Sequence, residues 1–215
     1  MINLNDDNGA GPITRIYANE ILNYFSNPTL VELGSPYGGG VEQIGKMSKG
    51  KGRIFAFDTF TGHPKELSYS QNSHEAICMD PQYAKYGTEA LEYDYQRSEL
   101  DRQGLSNVIL RKGLISDSSM IDADIHAIHY ALLDLDMITP MVLAWRLVRP
   151  LMVPGGYLCL HDVTPREHIA GLWGLYQEIL ASGEYNLILE EPKSYIVVLQ
   201  RNNAPKFTGY KYEAK

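Results

Sequence analysis

Residues 29–40, TLVELGSPYGGG, constrain what this chain can fold into more than any other stretch. Residues 29–33 are β-branched and aliphatic around one acid, with Pro28 before them and Gly34 after, the pattern of a short buried strand that ends in a turn. The acid is Glu32, at the strand's end. Gly38, Gly39 and Gly40 then let the backbone turn tightly into a helix start, where free N–H groups and the helix dipole face a ligand. Such a turn, at the carboxyl end of the first strand of an open α/β sheet, cradles a small molecule.

The spacing argues against a dinucleotide or a phosphate. GxGxxG would need a glycine at Pro36, and a phosphate loop would need a Gly-Lys-Ser/Thr that the chain lacks. Asp58 lies 24 residues beyond Gly34 and closes a second strand, RIFAFD (53–58), where an acid hydrogen-bonds the ribose of a bound nucleoside. A nucleoside with an amino-acid tail in place of phosphates suits both acids, and S-adenosylmethionine is that molecule. The expected cofactor residues are Glu32, Gly34, Ser35, Gly38, Asp58, Gly113 and Asp134, with the adenine near the turn at 113–118.

Helical periodicity at Ile13, Ile16, Tyr17, Ile21 and Tyr24 predicts an amphipathic helix before the first strand, and Val41, Ile44 and Met47 mark the next. Residues 59–88 hold prolines, tyrosines, His63 and His74 without clear periodicity, and read as an acceptor-side lid. A helix is expected over 89–103, strands over 107–113 and 126–136, and a Ser/Asp turn and helix cap at 116–119. Thr139-Pro140 reads as a helix start whose buried face is Met141, Ala144, Trp145 and Val148. Pro154-Gly155-Gly156 turns into a fifth strand at 157–162. A capping box at 164–167 opens a helix with core face Ile169, Leu172, Trp173, Tyr176 and Leu180. Strands at 186–190 and 195–200 close the sheet, giving one α/β domain over 1–215 with 1–12 and 201–215 peripheral or flexible.

With 44% hydrophobic residues the chain can bury a sizeable core, and a net charge of −7 without a Lys/Arg run argues against nucleic acid as a partner. No apolar run is long enough for a membrane span, and residues 1–10 are too polar for a signal peptide. Isolated Cys78 and Cys159 read as incidental thiols and suit the cytoplasm. The expected partner is a small-molecule acceptor. Tyrosines within 69–95 suit its pocket, a solvated helix or a homodimer interface, and the residues leave these open.

Ligands collect at the carboxyl ends of the strands, which carry Glu32, Asp58, Asp134, Asp136, His161 and Asp162. Three acids and a histidine at neighbouring strand ends form a candidate site. Taken in order, VELGSPYGGG, FAFDTFTGHP, LRKGLISDS, LLDLD and VPGGYLCLHDV resemble the macrocin O-methyltransferase family across residues 14–200, and DTFxGxP at 58–64 is the most specific match. The resemblance implies a class I S-adenosylmethionine-dependent O-methyltransferase acting on a sugar hydroxyl of a natural product. Its fold is a Rossmann-like α/β fold, a mostly parallel seven-stranded sheet with helices on both faces. The resemblance also implies Mg²⁺ or another divalent cation, whose ligands fall on Asp134, His161 and Asp162. Leu135 stands where the family has glycine, and His161 where it has aspartate.

Imidazole suits Zn²⁺, Fe²⁺, Ni²⁺ or Mn²⁺ better than Mg²⁺. A changed metal, a weakened site, His161 as general base and a histidine that only bonds Asp134 all stay open. An alcohol attacks a sulfonium methyl well only when a base or a cation activates it. The expected catalytic residues are therefore His161, His63 and Asp134, with His74 behind them, while His126 and His129 read as structural. A nucleoside-binding protein without methyl transfer, an NAD-dependent oxidoreductase, and an amine or phenol acceptor remain alternatives.

Overall fold

A computed structural model describes residues 10–35, 39–60, 93–163 and 170–202. The lid assignment from residue 61 onward, Gly38, His63, His74, Cys78, the capping box and most of both termini lie outside the described residues.

Seven strands form one sheet: β1 (Thr29–Leu33), β2 (Arg53–Asp58), β3 (Val108–Lys112), β4 (Ile128–Leu133), β5 (Met152–Leu160), β6 (Tyr185–Glu191) and β7 (Ile196–Arg201). Their spatial order is β3-β2-β1-β4-β5-β7-β6, with β7 antiparallel to both of its neighbours and the first five strands parallel. Helices α1 (Ala10–Tyr24), α2 (Gly39–Ser48) and α3 (Tyr93–Arg102) cover one face. The short α4 (Ser119–Asp122), α5 (Ile138–Val148) and α6 (Ala170–Ala181) cover the other. Because both faces are covered, all five residues of β1 are buried, which is why its sequence is continuously apolar around Glu32.

The two cores follow the strand alternation. Leu30, Ile54, Tyr130, Tyr157 and Cys159 meet Ile13, Tyr17 and Ile21 of α1 and Val41 and Ile44 of α2. Val31, Phe55, Leu133 and Leu160 meet Met141, Ala144, Trp145 and Val148 of α5. Fully burying side chains of this size contributes about 1.5–3 kcal/mol each, so the helix faces lock the sheet in one register.

Several expected boundaries shift. On α1 the buried stripe runs through Ala18 and Leu22, and Tyr24 is exposed because the helix ends there. On α6 the buried face includes Leu175 and Ile179, while Trp173 and Leu180 are only partly covered. The N-cap of α5 is Met137, with φ −127° and ψ 145°, so Thr139 and Pro140 sit inside the first turn, where a missing N–H costs nothing. Ser118 at the start of α4 makes no capping bond and instead donates to Asp122 at 2.6 Å. Pro154-Gly155-Gly156 lies within β5 rather than before it. There the ladder jumps from Ile128↔Met152 to Tyr130↔Tyr157, a bulge with Gly155 at φ +81° and its carbonyl accepting from Gln200 at 3.1 Å. β4 stops at Leu133, leaving Asp134 and Asp136 beyond the strand.

Candidate active site

The register brings the expected site residues into one row. Leu33 pairs with Phe57 and with Leu133, and Leu133 pairs with Leu160. The next residue on each strand is Gly34, Asp58, Asp134 or His161, so these four stand side by side on β1, β2, β4 and β5. Bonds beyond the strands hold the row: Gly34 N–H donates to Phe57 at 2.9 Å, Asp134 N–H to Leu33 at 2.8 Å, and His161 N–H to Leu133 at 3.0 Å. On the far side Gly113 N–H donates to the Asp58 carbonyl at 2.9 Å, joining the expected adenine turn to the row.

Gly34 is there because nothing larger fits. Its φ is +86°, and a Cβ would lie 1.7 Å from the Asp134 carbonyl oxygen. That close approach sets the glycine turn against the end of β4. The Asp58 carboxylate accepts the Ser35 N–H at 2.9 Å and the Phe60 N–H at 2.7 Å, one on each oxygen. It therefore fixes the chain leaving β1 and the chain leaving β2 together. Phe60, Asp136 and Asp162 all hold positive φ (52°, 61° and 58°), so the backbone reverses under strain after β2, β4 and β5 alike.

Glu32 lies one layer beneath the turn. It is only 6% exposed, on the α1/α2 side of the sheet, and its carboxylate oxygens would stand 2.8 and 3.0 Å from a Cβ on Gly40. Burial pushes its carboxyl up to about 7; the Ser35 hydroxyl opposes this, and the charges of Asp134 and Asp58 add to it. Oε2 of Glu32 and the Ser35 hydroxyl are both buried without a completed hydrogen bond. These unpaired atoms leave hydrogen-bonding capacity under the glycine turn.

Asp134, His161 and Asp162 converge as the sequence reading expects, with one potential ligand atom from each within 4.8 Å of the others. His161 Nδ1 is 2.7 Å from Asp134 Oδ1 and 3.7 Å from Asp162 Oδ1. Burial acts against the imidazolium, but the hydrogen bond and charge of Asp134, with Asp162 and Asp136, outweigh it and hold its pKa up at about 9. Burial raises the Asp162 carboxyl, against the pull of His161, and a bond to Asp136 raises it further. Sequence reasoning placed Asp136 at a strand end but gave it no role; its proximity to another acid was the available signal.

A divalent cation is implied by the resemblance, and the donor set answers for it. The 2.7 Å contact between Nδ1 and Oδ1 is a hydrogen bond, with a proton where a shared cation would have to draw electrons from both atoms. A nitrogen donor is also a poor partner for Mg²⁺. As arranged, these residues do not fit a hard divalent cation.

The other described histidines stand away from this edge. His129 lies within β4, accepts the Thr29 N–H on Nδ1 at 3.1 Å and edges the Phe25 ring. Burial holds its pKa below the ordinary value, in keeping with a structural neutral imidazole. His126 is exposed and bonds Asp124 at 2.7 Å. Cys159 is buried in the sheet, and burial pushes its thiol up to about 12, which leaves it unreactive.

A parallel sheet in the order 3-2-1-4-5-7-6, with one antiparallel strand and a ligand edge at β1 and β4, is the Rossmann-like fold of class I methyltransferases. No family model matches the chain, and no curated protein matches its sequence. Solved structures share the fold. The O-methyltransferase NovP superposes with a TM-score of 0.71 at 16% identity, over 90% of this chain and 79% of its own. CalS11, the calicheamicin methyltransferase, gives 0.68 at 16% identity over 88% and 77%. The O-methyltransferase from Bacillus cereus in complex with SAH gives 0.57 at 16% identity over 88% and 81%. Among the described residues no helix is long and apolar enough to cross a membrane.

Proposed function

We propose that this chain is an S-adenosylmethionine-dependent methyltransferase that methylates a hydroxyl of a small molecule, a sugar-bearing natural product by preference, in the cytoplasm. One observation carries the reading: Gly34, Asp58 and Asp134 form a single row at adjacent strand ends, with Gly34 pressed against the Asp134 backbone. Asp58 would hold the ribose, the turn at Gly34, Ser35 and Gly38 the amino-acid tail, Gly113 the adenine side, and Asp134 the ammonium. Glu32 would support the turn from beneath. Similarity to NovP and CalS11, both named as methyltransferases of the same fold, supports the reaction class.

The transfer itself is an in-line displacement. The acceptor oxygen forms a bond to the methyl carbon as the carbon–sulfur bond breaks, and the sulfonium leaves as a neutral thioether. The hydroxyl proton must go to a base. His161 is the preferred one, since Asp134 orients it through Nδ1 and no described residue bonds Nε2. His63 is the second candidate, and a homodimer the open assembly.

Calorimetry with S-adenosylhomocysteine tests the cofactor, and transfer of a labelled methyl group to a panel of hydroxylated sugars, amines and phenols tests the acceptor. Saturable binding with label on an oxygen is expected. Binding without transfer to any of the panel would favour the nucleoside-binding alternative, and binding of NAD instead would end the methyltransferase reading.

A further inference from the structure

Deepening the methyl-transfer reading, on which it rests only for the site's place in the reaction, we propose that this centre works without a divalent cation, because the His161 ring closes on Asp134 through a hydrogen bond that a shared cation would have to displace. The resemblance places a carboxylate at this position, and His161 changes both the donor atom and the charge.

Four groups meet here: the carboxylates of Asp134, Asp136 and Asp162 and the His161 ring. With an aspartate in place of the histidine, four carboxylates would crowd one strand edge, and like charges at that spacing need a counter-cation or bound protons. The histidine removes one of those four carboxylates and places a ring nitrogen there instead. Its Nδ1 spans the gap to Asp134 at 2.7 Å and stands 3.7 Å from Asp162. A metal that drew on Asp134, His161 and Asp162 together would have to break the hydrogen bond between Asp134 and His161.

The backbone supports this closure. Asp134 and His161 follow the paired Leu133 and Leu160, and the His161 N–H is bonded to the Leu133 carbonyl at 3.0 Å. The two side chains therefore leave adjacent strands at the same level, and the Asp134–His161 contact is built into the register rather than left to loop position. The His161 ring and the two carboxylates are only about a quarter exposed, at 25% for His161, 30% for Asp134 and 27% for Asp162. Solvent competes only weakly for the hydrogen bond between them.

Calorimetric titration of the full chain with Mg²⁺ and Zn²⁺, with and without S-adenosylhomocysteine, tests the proposal. The chain is expected to show no saturable uptake of either ion, and the ¹⁵N–¹H resonance of His161 Nδ1 is expected to persist through the titration. One ion bound per chain with loss of that resonance would overturn it. His161→Asp is expected to bind Mg²⁺ at least about tenfold more tightly than the unmodified chain, since an oxygen replaces nitrogen and the bridging proton is gone. A folded variant that gains no affinity would overturn the proposal, and if the variant does not fold the resonance of the unmodified chain decides alone. Methyl transfer is expected to survive chelation, and its loss on chelation counts against the proposal. S-adenosylhomocysteine binding, read in the same cell, fails or stands independently of the metal result, so the two readings can be told apart.

Discussion

Three residues concentrate the chemistry of the sheet edge. Asp58 already accepts two backbone N–H groups, so it shapes the turn and keeps lone pairs for a further donor, the ribose in the proposed reading. Asp58→Ala should weaken S-adenosylhomocysteine binding by about 1–3 kcal/mol, and an unchanged calorimetric Kd would remove the residue from the cofactor site. Gly34→Ala has no accessible solution, with positive φ and the Asp134 carbonyl oxygen 1.7 Å from the new atom. A loss of roughly 3 kcal/mol or more in denaturant unfolding is expected, and a stable variant would mean that β1 and β4 separate more readily than their bonds suggest. His161 is held as imidazolium up to about pH 9, so its neutral, proton-accepting form is the minor one at neutrality. If it is the base, kcat/KM should rise close to tenfold per pH unit from 7 and level near 9; a flat profile would move the base elsewhere.

At the scale of elements, the ends of strands matter more than their middles. Asp134 and His161 meet because β4 and β5 each stop one residue short of them, at Leu133 and Leu160. Helix α1 is tied to β5 by the Tyr157 hydroxyl, which donates to Glu20 at 2.7 Å, and by the Tyr17 ring set edge-on to Tyr157. Tyr157→Phe keeps the ring contact and loses the bond, so a loss on the order of 1.5 kcal/mol is expected in equilibrium unfolding. A neutral result would show that packing alone seats α1. On the opposite side of the sheet Glu184 pairs with Arg149 and Arg201, tying the start of β6 to the end of α5 and to β7. These groups are partly exposed, so the network aligns the edge more than it stabilises it.

Across the molecule, the buried Glu32 couples stability to pH. Its carboxyl is raised from 4.5 to about 7 in the folded chain, so the folded state holds the proton more tightly than the unfolded one. The associated stability is fully present below pH 4.5 and is lost as pH rises through 7. His129 has the opposite sign: its lowered pKa means that stability is lost as pH falls below about 6.5. Glu32→Gln, neutral and of similar size, should therefore be more stable than the unmodified chain at pH 8 and lose that advantage at pH 5 in chemical unfolding. Equal stability at both pH values would mean that the carboxylate finds a partner when ionised.

The sequence by itself determined the α/β class, the mostly parallel sheet and the identity of the strand-end acids. Those follow from local facts: apolar runs bounded by glycine and proline, helical spacing, and acids placed just where the runs stop. Register decided the rest. That Gly34, Asp58, Asp134 and His161 share one level depends on which residue of each strand faces which, and a chain read alone carries no distances between strands. The bulge in β5 was equally hidden, because Pro154-Gly155-Gly156 reads as a turn until Gln200 and the neighbouring strand occupy it. The role of His161 was legible only as a substitution, open to four readings. Its 2.7 Å bond to Asp134 exists only because sheet pairing holds the ends of β4 and β5 at the same level.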